Sequence, residues 1–310
     1  RQSTRMGNTM TALSSIISAG GGGGSTRAIA DKVNKNNVGP GMSMVFGNSQ
    51  SFTPATTMTA IVTAVGAGGS GAHMAQSYFY SSTGGSAGGM CQSELVLTAG
   101  VTYTFSVGAG GTKQGPGNST GYPGGDTIVS GSDIATMTAG GGLGGGYHYQ
   151  SSGYVTTWGG SASGGNIANR TGGGSQVQGY PKAAGGGAVG FYDSGKYGAC
   201  TDATHNGTQS SEGAGCEGIP MSFGFGACTD GGDRLWDTNY AKSAGAGQAF
   251  AGGGGARVRT TAPYLNSGYA CIGGRGGIGG GGGAAISYGS NNCNTIGGDG
   301  GNGIIILQFI

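Results

Sequence analysis

Apolar and polar residues alternate with a period of two in several separate stretches, the signature of strands with one buried face. Residues 42–53 ("MSMVFGNSQSFT") and 56–69 ("TTMTAIVTAVGAGG") are rich in β-branched and alternating positions and are separated by Pro54. Residues 91–111 read as a hairpin turning at Ala99-Gly100, with Val101, Tyr103, Phe105 and Val107 on one face between Thr and Ser. Residues 124–142 read as a second hairpin turning near Gly131, and Ile304 to Ile310 as a last strand. The spacing predicts a small antiparallel β-sandwich of about six or seven strands. Only residues 1–41 carry a helical period. Met10, Leu13, Ile16 and Ile17 suit a short helix ending at Gly20, and Ser25 suits the N-cap of a second. With Arg1, Arg5, Arg27, Lys32 and Lys35 against Asp31 alone, this stretch reads as a basic attachment segment ahead of one domain over 42–310.

Composition changes the picture. The 310 residues include 78 glycines and 7 prolines, a share at which disorder is the usual reading. Yet each strand hands over to a glycine run: Val65 to "GAGGSG", Val107 to "GAGG", Thr138 to "AGGGLGGG", and "GGDGGNG" to Ile304. The runs therefore leave and re-enter one end of a β scaffold. Ordered glycine has one economical form, the left-handed extended helix of three residues per turn and about 3.1 Å rise, which makes no internal hydrogen bonds. Without Cβ atoms such threads approach closely and satisfy one another's amides. The expected fold is thus mainly β, a sandwich carrying a packed bundle of polyglycine II helices, with long irregular loops and little α-helix.

The inserts between runs are of another kind. "HMAQSYFYSST", "YHYQSSGYVTTW", "FYDSGKYGACTDATHNGTQ", "RLWDTNYAK" and "ARVRTTAPYLNSGYAC" favour Tyr, Ser, Asn and Thr, the palette of binding loops, in which Tyr and Trp supply rigid amphipathic contact. Candidate contact residues are Tyr78, Tyr80, Tyr147, Tyr149, Tyr154, Trp158, Tyr192, Trp236, Tyr240 and Tyr264. The alternative is that these aromatics cap the bundle.

At 8% charged residues and a net charge of +2, the chain lacks the basic surplus of a nucleic-acid binder, and no run nears the ~20 apolar residues of a membrane span. It opens at Arg1, which leaves a processed or truncated product open. Six cysteines, Cys91, Cys200, Cys216, Cys228, Cys271 and Cys293, are disulfide candidates, with free thiols as the alternative. Neither they nor His73, His148 and His205 show metal-ligand spacing, so no cofactor or metal is expected. Acids gather in 193–237 and bases in 242–275, without the spacing of a calcium loop. GxGxxG matches recur, as 78 glycines make inevitable, but none lies in a strand–turn–helix context, and no GxSxG elbow occurs. No catalysis is expected. Sequons stand at Asn118, Asn169 and Asn206.

The order "QSFTPATTMTAIVTAVGAGGSG", "LVLTAGVTYTFSVGAGG", a glycine-broken aromatic region and "GGDGGNGIIILQFI" resembles the glycine-rich domain of bacteriophage tail-fibre and virion-surface proteins. The strategy is similar to that of T-even-type tail-fibre tip adhesins, in which polyglycine II threads carry variable receptor-binding loops. The six cysteines and the β segments depart from that tip pattern. The resemblance, over about 42–310, implies a non-enzymatic virion protein at the particle surface or outside the cell. It would bind a host surface glycan or outer-membrane protein and attach to other tail-fibre proteins, with homo-oligomerisation left open. The alternative is a structural assembly subunit, a virion decoration or extracellular filament protein.

Overall fold

Alternating burial shapes the strands. In the computed structural model, which describes residues 39–74, 80–112, 119–149, 154–178, 182–183, 186–187, 189, 257–259, 270–287 and 294–310, the regular elements are all strands and no helix occurs among the described residues. They are β1 (Ser43–Phe46), β2 (Gln50–Phe52), β3 (Met58–Val65), β4 (His73–Met74), β5 (Tyr80–Ser82), β6 (Met90–Leu97), β7 (Tyr103–Ser106), β8 (Thr127–Gly131), β9 (Ile134–Ala139) and β10 (Tyr147–Tyr149). There follow β11 (Tyr154–Thr157), β12 (Ala162–Ser163), β13 (Ala168–Arg170), β14 (Ser175–Gln178), β15 (Lys182–Ala183), β16 (Arg257–Arg259), β17 (Ala270–Ile272), β18 (Ala285–Ser287), β19 (Asn294–Ile296) and β20 (Ile304–Phe309). The helices expected within 1–41 lie outside the described residues, apart from 39–41.

Two five-stranded antiparallel sheets, β1-β20-β3-β6-β13 and β12-β9-β8-β7-β2, form the sandwich. One core draws on both: Phe46, Val62, Cys91, Leu97, Ile305 and Leu307 from the first sheet meet Phe52, Tyr103, Phe105, Val129 and Met137 from the second. Across the gap, the Phe105 ring lies 4.8 Å from Phe46, and within its own sheet it stacks on Phe52 at 6.2 Å. Tyr103 buries its ring and keeps its hydroxyl bonded. It accepts from the Thr98 amide at 2.7 Å and donates to Asp133 Oδ2 at 2.9 Å, as a buried phenol must. The hairpin read over 124–142 is β8–β9, with a register shift between Val129 and Gly131. The hairpin read over 91–111 is corrected: the chain does turn at 98–101, where the Val101 amide reaches the Thr98 carbonyl, but β6 pairs with β3 and β7 with β8. The turn is a corner between the sheets, since both strands direct their apolar face into the same core. Gly164, at φ +80, helps the chain cross between the sheets at the edge where β12 ends one sheet and β13 the other.

At one end of the sandwich β3, β7 and β9 finish and β6, β8 and β20 begin, so six chain segments emerge together. They continue as the threads 66–73, 108–112, 140–146, 83–89, 119–125 and 297–303. Along 66–73 the amides turn to three partners in rotation. Gly66, Gly69 and Ala72 donate to Gly89, Ser86 and Thr83; Ala67, Ser70 and His73 to Gly125, Tyr122 and Ser119; Gly68 and Gly71 to Gly301 and Gly298, all at 2.8–3.1 Å. A repeat of three is the signature of a helix with three residues per turn. The carbonyls rotate too, accepting from Gly111 at Gly68, from Gly142 and Gly145 at Ala67 and Ser70, and from Gly282 and Ala285 at Gly69 and Ala72.

Thread 66–73 is thus the axis of a hexagon whose six members are 297–303, 108–112, 119–125, 140–146, 83–89 and 280–285. Successive members around this ring are bonded as well, through Gly300 to Gly111, Gly125 to Ala109, Gly121 to Gly145, Ser86 to Leu143, Gly85 to Gly282, and Gly298 to Gly283. Five members grow out of the sandwich. The sixth, 280–285, arrives by a tight return from 273–277, closed by the Gly280 amide on the Gly277 carbonyl and by Gly279 at φ +71. The left-handed backbone there is natural only to glycine, and a Cβ would meet Val65 and Val189. These valines belong to a second apolar cluster with Ala87, Met90, Ile304 and Ile306, which covers the junction of sheet and bundle.

Candidate binding surface

Three hydroxyls show how the bundle keeps its register where side chains enter it. The Ser86 amide donates to the Leu143 carbonyl at 2.9 Å, and the Leu143 amide donates back to Ser86 Oγ at 2.6 Å. Thr83 and Gly146 repeat the exchange, as do Ser70 and Tyr122. Antiparallel threads bond in one direction at each third residue, and the hydroxyl supplies the acceptor for the return bond. Elsewhere Asp126 and Asn302 accept from the Gly141 and Gly110 amides. In the GxGxxG-like stretch the amides of Gly108, Gly110 and Gly111 are committed to the bundle, Gly108 reaching Thr127 Oγ1 and Gly111 the Gly68 carbonyl.

At the ends remote from the sandwich the threads open into short strands. β18 lies between β4 and β16, parallel to both, β5 between β10 and β15, β17 beside β19, and β11 beside β14. The inserts 73–83, 147–158 and 256–271 adjoin these strands, whereas 191–209 and 234–242 lie outside the described residues. Several expected loop residues consequently stand on strands: Tyr147 opposite Ser82, Tyr149 opposite Tyr80, and Tyr154 opposite Gln178. This corrects the reading of 147–158 as an irregular loop, since β10 and β11 occupy most of it. Tyr147 is 38% exposed and Trp158, which opens the thread after β11, is 64% exposed. Tyr78, Tyr192, Trp236, Tyr240 and Tyr264 lie outside the described residues, as do Cys200, Cys216, Cys228 and Cys293 and most of the segments rich in acids and bases.

Two exposed apolar residues escaped the sequence reading. Tyr122 is 52% exposed and Leu143 50%. They stand on neighbouring threads, and Ser86 Oγ, which accepts from Leu143, donates to the Trp158 carbonyl at 2.6 Å. Since Ser70 holds Tyr122 while its neighbour Gly69 donates to Ser86, the three side chains lie at one level across three adjacent outer threads. Their signal was present in "GYPGG" and "GGGLGGG": a bulky residue in a glycine thread has room only where it faces outward.

Cys91 departs from the disulfide expectation. Its thiol is free and buried in the sandwich core, and burial pushes its pKa up to about 12. The thiol form therefore persists to well above pH 8, and thiolate chemistry is suppressed. Iodoacetamide at pH 8 should leave the Cys91 peptide unmodified in native protein and alkylate it fully in denaturant, as peptide mass mapping would read. Native alkylation of Cys91 would contradict this packing. Among the described residues no group of three or more His, Cys, Asp or Glu is placed to hold a metal ion. At the sequon Asn169, the side chain is bonded through both its atoms to the Gly165 backbone.

Over residues 42–310 the sequence matches the family model of the glycine-rich domain, and the chain belongs to that family. No curated protein matches it.

Proposed function

We propose that this is a non-enzymatic bacteriophage virion protein, a tail-fibre tip or receptor-binding adhesin. In this reading it acts at the particle surface on a host glycan or outer-membrane protein. One observation carries the reading: the inserts 73–83, 147–158 and 256–271, which have the composition of binding loops, adjoin the short strands at the sandwich-remote end of a hydrogen-bonded bundle. The axial thread 66–73 returns to the same neighbour every third residue, so the bundle is a stiff platform on which loops can vary without changing its register. The sandwich end, with the basic segment 1–41 ahead of it, is then the side that joins other tail-fibre proteins. No residue is assigned a catalytic role and no cofactor is needed. A structural assembly subunit would use the same inserts to contact copies of the chain.

The test is adsorption of fluorescently labelled protein to a panel of bacterial strains. Scrambling residues 191–209, and separately replacing Tyr192, Trp236, Tyr240 and Tyr264 by Ser, should abolish or redirect adsorption to the strains that bind. The thermal melt should stay unchanged. Adsorption to no strain, or adsorption indifferent to both changes, would remove the adhesin reading. Inserts buried between copies in images of the particle would favour the assembly subunit.

A further inference from the structure

We infer that the flank of the glycine bundle carries a second ligand site, a stacking ridge for a neutral oligosaccharide formed by Tyr122, Leu143 and Trp158. It rests on the adhesin reading and names a substrate class for a surface that the insert residues do not include, Trp158 excepted. The three residues project from the threads 119–125, 140–146 and 158–161, at one level fixed by Ser70 and Ser86. Hydrogen-bonded backbones stand about 5 Å apart, so the ridge spans on the order of 10 Å from Tyr122 to Trp158, the reach of a short oligosaccharide.

Charge and area select the occupant. None of residues 119–124, 140–147 and 156–161 is charged, and the nearest carboxylate, Asp126, is engaged by the Gly141 amide, so an anionic polymer finds no counterpart there and a cationic one no free acid on the ridge itself. Two half-exposed aromatic side chains and one leucine present roughly 300–400 Å² of apolar surface. That is under half of the ~800 Å² per partner of a stable protein interface, which argues against a second copy of the chain. A pyranose suits what is left. Its C–H face stacks on the electron-rich face of an aromatic ring, and its hydroxyls need donors and acceptors nearby. The partly exposed Gly121, Gly144, Gly146 and Gly159 flank the ridge and bring uncovered backbone to the surface. The rings are also held by hydroxyl-anchored backbone, so little ordering cost falls on binding.

The experiment applies the full chain to an array of neutral and anionic bacterial oligosaccharides, alongside Trp158→Ala and Tyr122→Ala. Both sites are exposed, so both variants should melt as the parent does. The expected result is signal on neutral glycans that weakens at least tenfold in each variant. No neutral signal, signal confined to anionic glycans, or neutral signal retained by both variants overturns the site. So does a concentration-dependent dimer in sedimentation that Trp158→Ala abolishes, which would make a second copy the occupant. The two readings fail separately. If Trp158→Ala and Tyr122→Ala leave cell adsorption and array signal unchanged while scrambling 191–209 removes adsorption, the ridge fails and the adhesin reading stands. If the parent adsorbs to no strain, the adhesin reading fails whatever the array shows.

Discussion

Replacing Gly68 by Ala should destabilise the protein by at least ~3 kcal/mol and lower its melting temperature by roughly 10 °C, if it folds at all. Gly68 lies at the centre of the axial thread, donating to Gly301 and accepting from Gly111, both at 2.8 Å. A methyl built there would overlap the carbonyl of Gly280. That carbonyl belongs to a thread itself bonded to 297–303 through the Gly301 amide, so it cannot step back without breaking other bonds. The matched control is Gly146→Ala, in the same bundle, where an added Cβ meets nothing within 4 Å and φ is not positive. It should change stability by less than about 1 kcal/mol, with the lower entropy of the unfolded chain in its favour. Equal melts for the two variants would mean that the threads are not packed backbone to backbone.

The parts that could be read in the sequence were those where side chains carry the information. β3 and the β8–β9 hairpin announce themselves by alternation and by a bend at Gly131, and β20 by a short, almost unbroken apolar run. The handover from strand to thread shows as an abrupt loss of side chains after Val65, Val107 and Ala139 and before Ile304. The three-residue helix follows from what glycine amides require. Which thread lies beside which does not follow, because a glycine run has no side chain to mark its register. Only the occasional Ser70, Thr83 or Ser86 does so, and its partner is set in three dimensions. The corner at 98–101 was taken for a hairpin because the same turn residues serve either path. An even count of six cysteines suggests disulfides but says nothing about Cys91 by itself, which is free in the core. Its own phase with Ser93 and Leu97, all inward, pointed to the core. Tyr122 and Leu143 stand outside the dense aromatic inserts, and their only sequence signal is that a lone bulky residue in a glycine thread marks the outer face.

Truncating Phe105 to Ala should cost about 3–5 kcal/mol, and its effect should reach beyond the sandwich. Phe105 is buried where β7 of one sheet meets β1 of the other, and its loss leaves a cavity between Phe46 and Phe52. Three residues after Phe105 the chain becomes the thread 108–112, whose Gly111 bonds to the axis and whose Gly108 and Gly111 carbonyls accept from Gly303 and Gly300. A polyglycine thread gains nothing from local interactions and loses more conformational entropy on ordering than any other segment. It stays ordered only while its neighbours do, and five of the six ring members are aligned by strands of the sandwich. Loosening the sandwich should therefore lower hydrogen-exchange protection at Gly68, Gly111 and Gly300 in step with Val62 and Leu307. A bundle whose amides kept their protection in Phe105→Ala, while the strand amides lost theirs, would be a body stable by itself. The view that the sandwich aligns the threads would then be wrong.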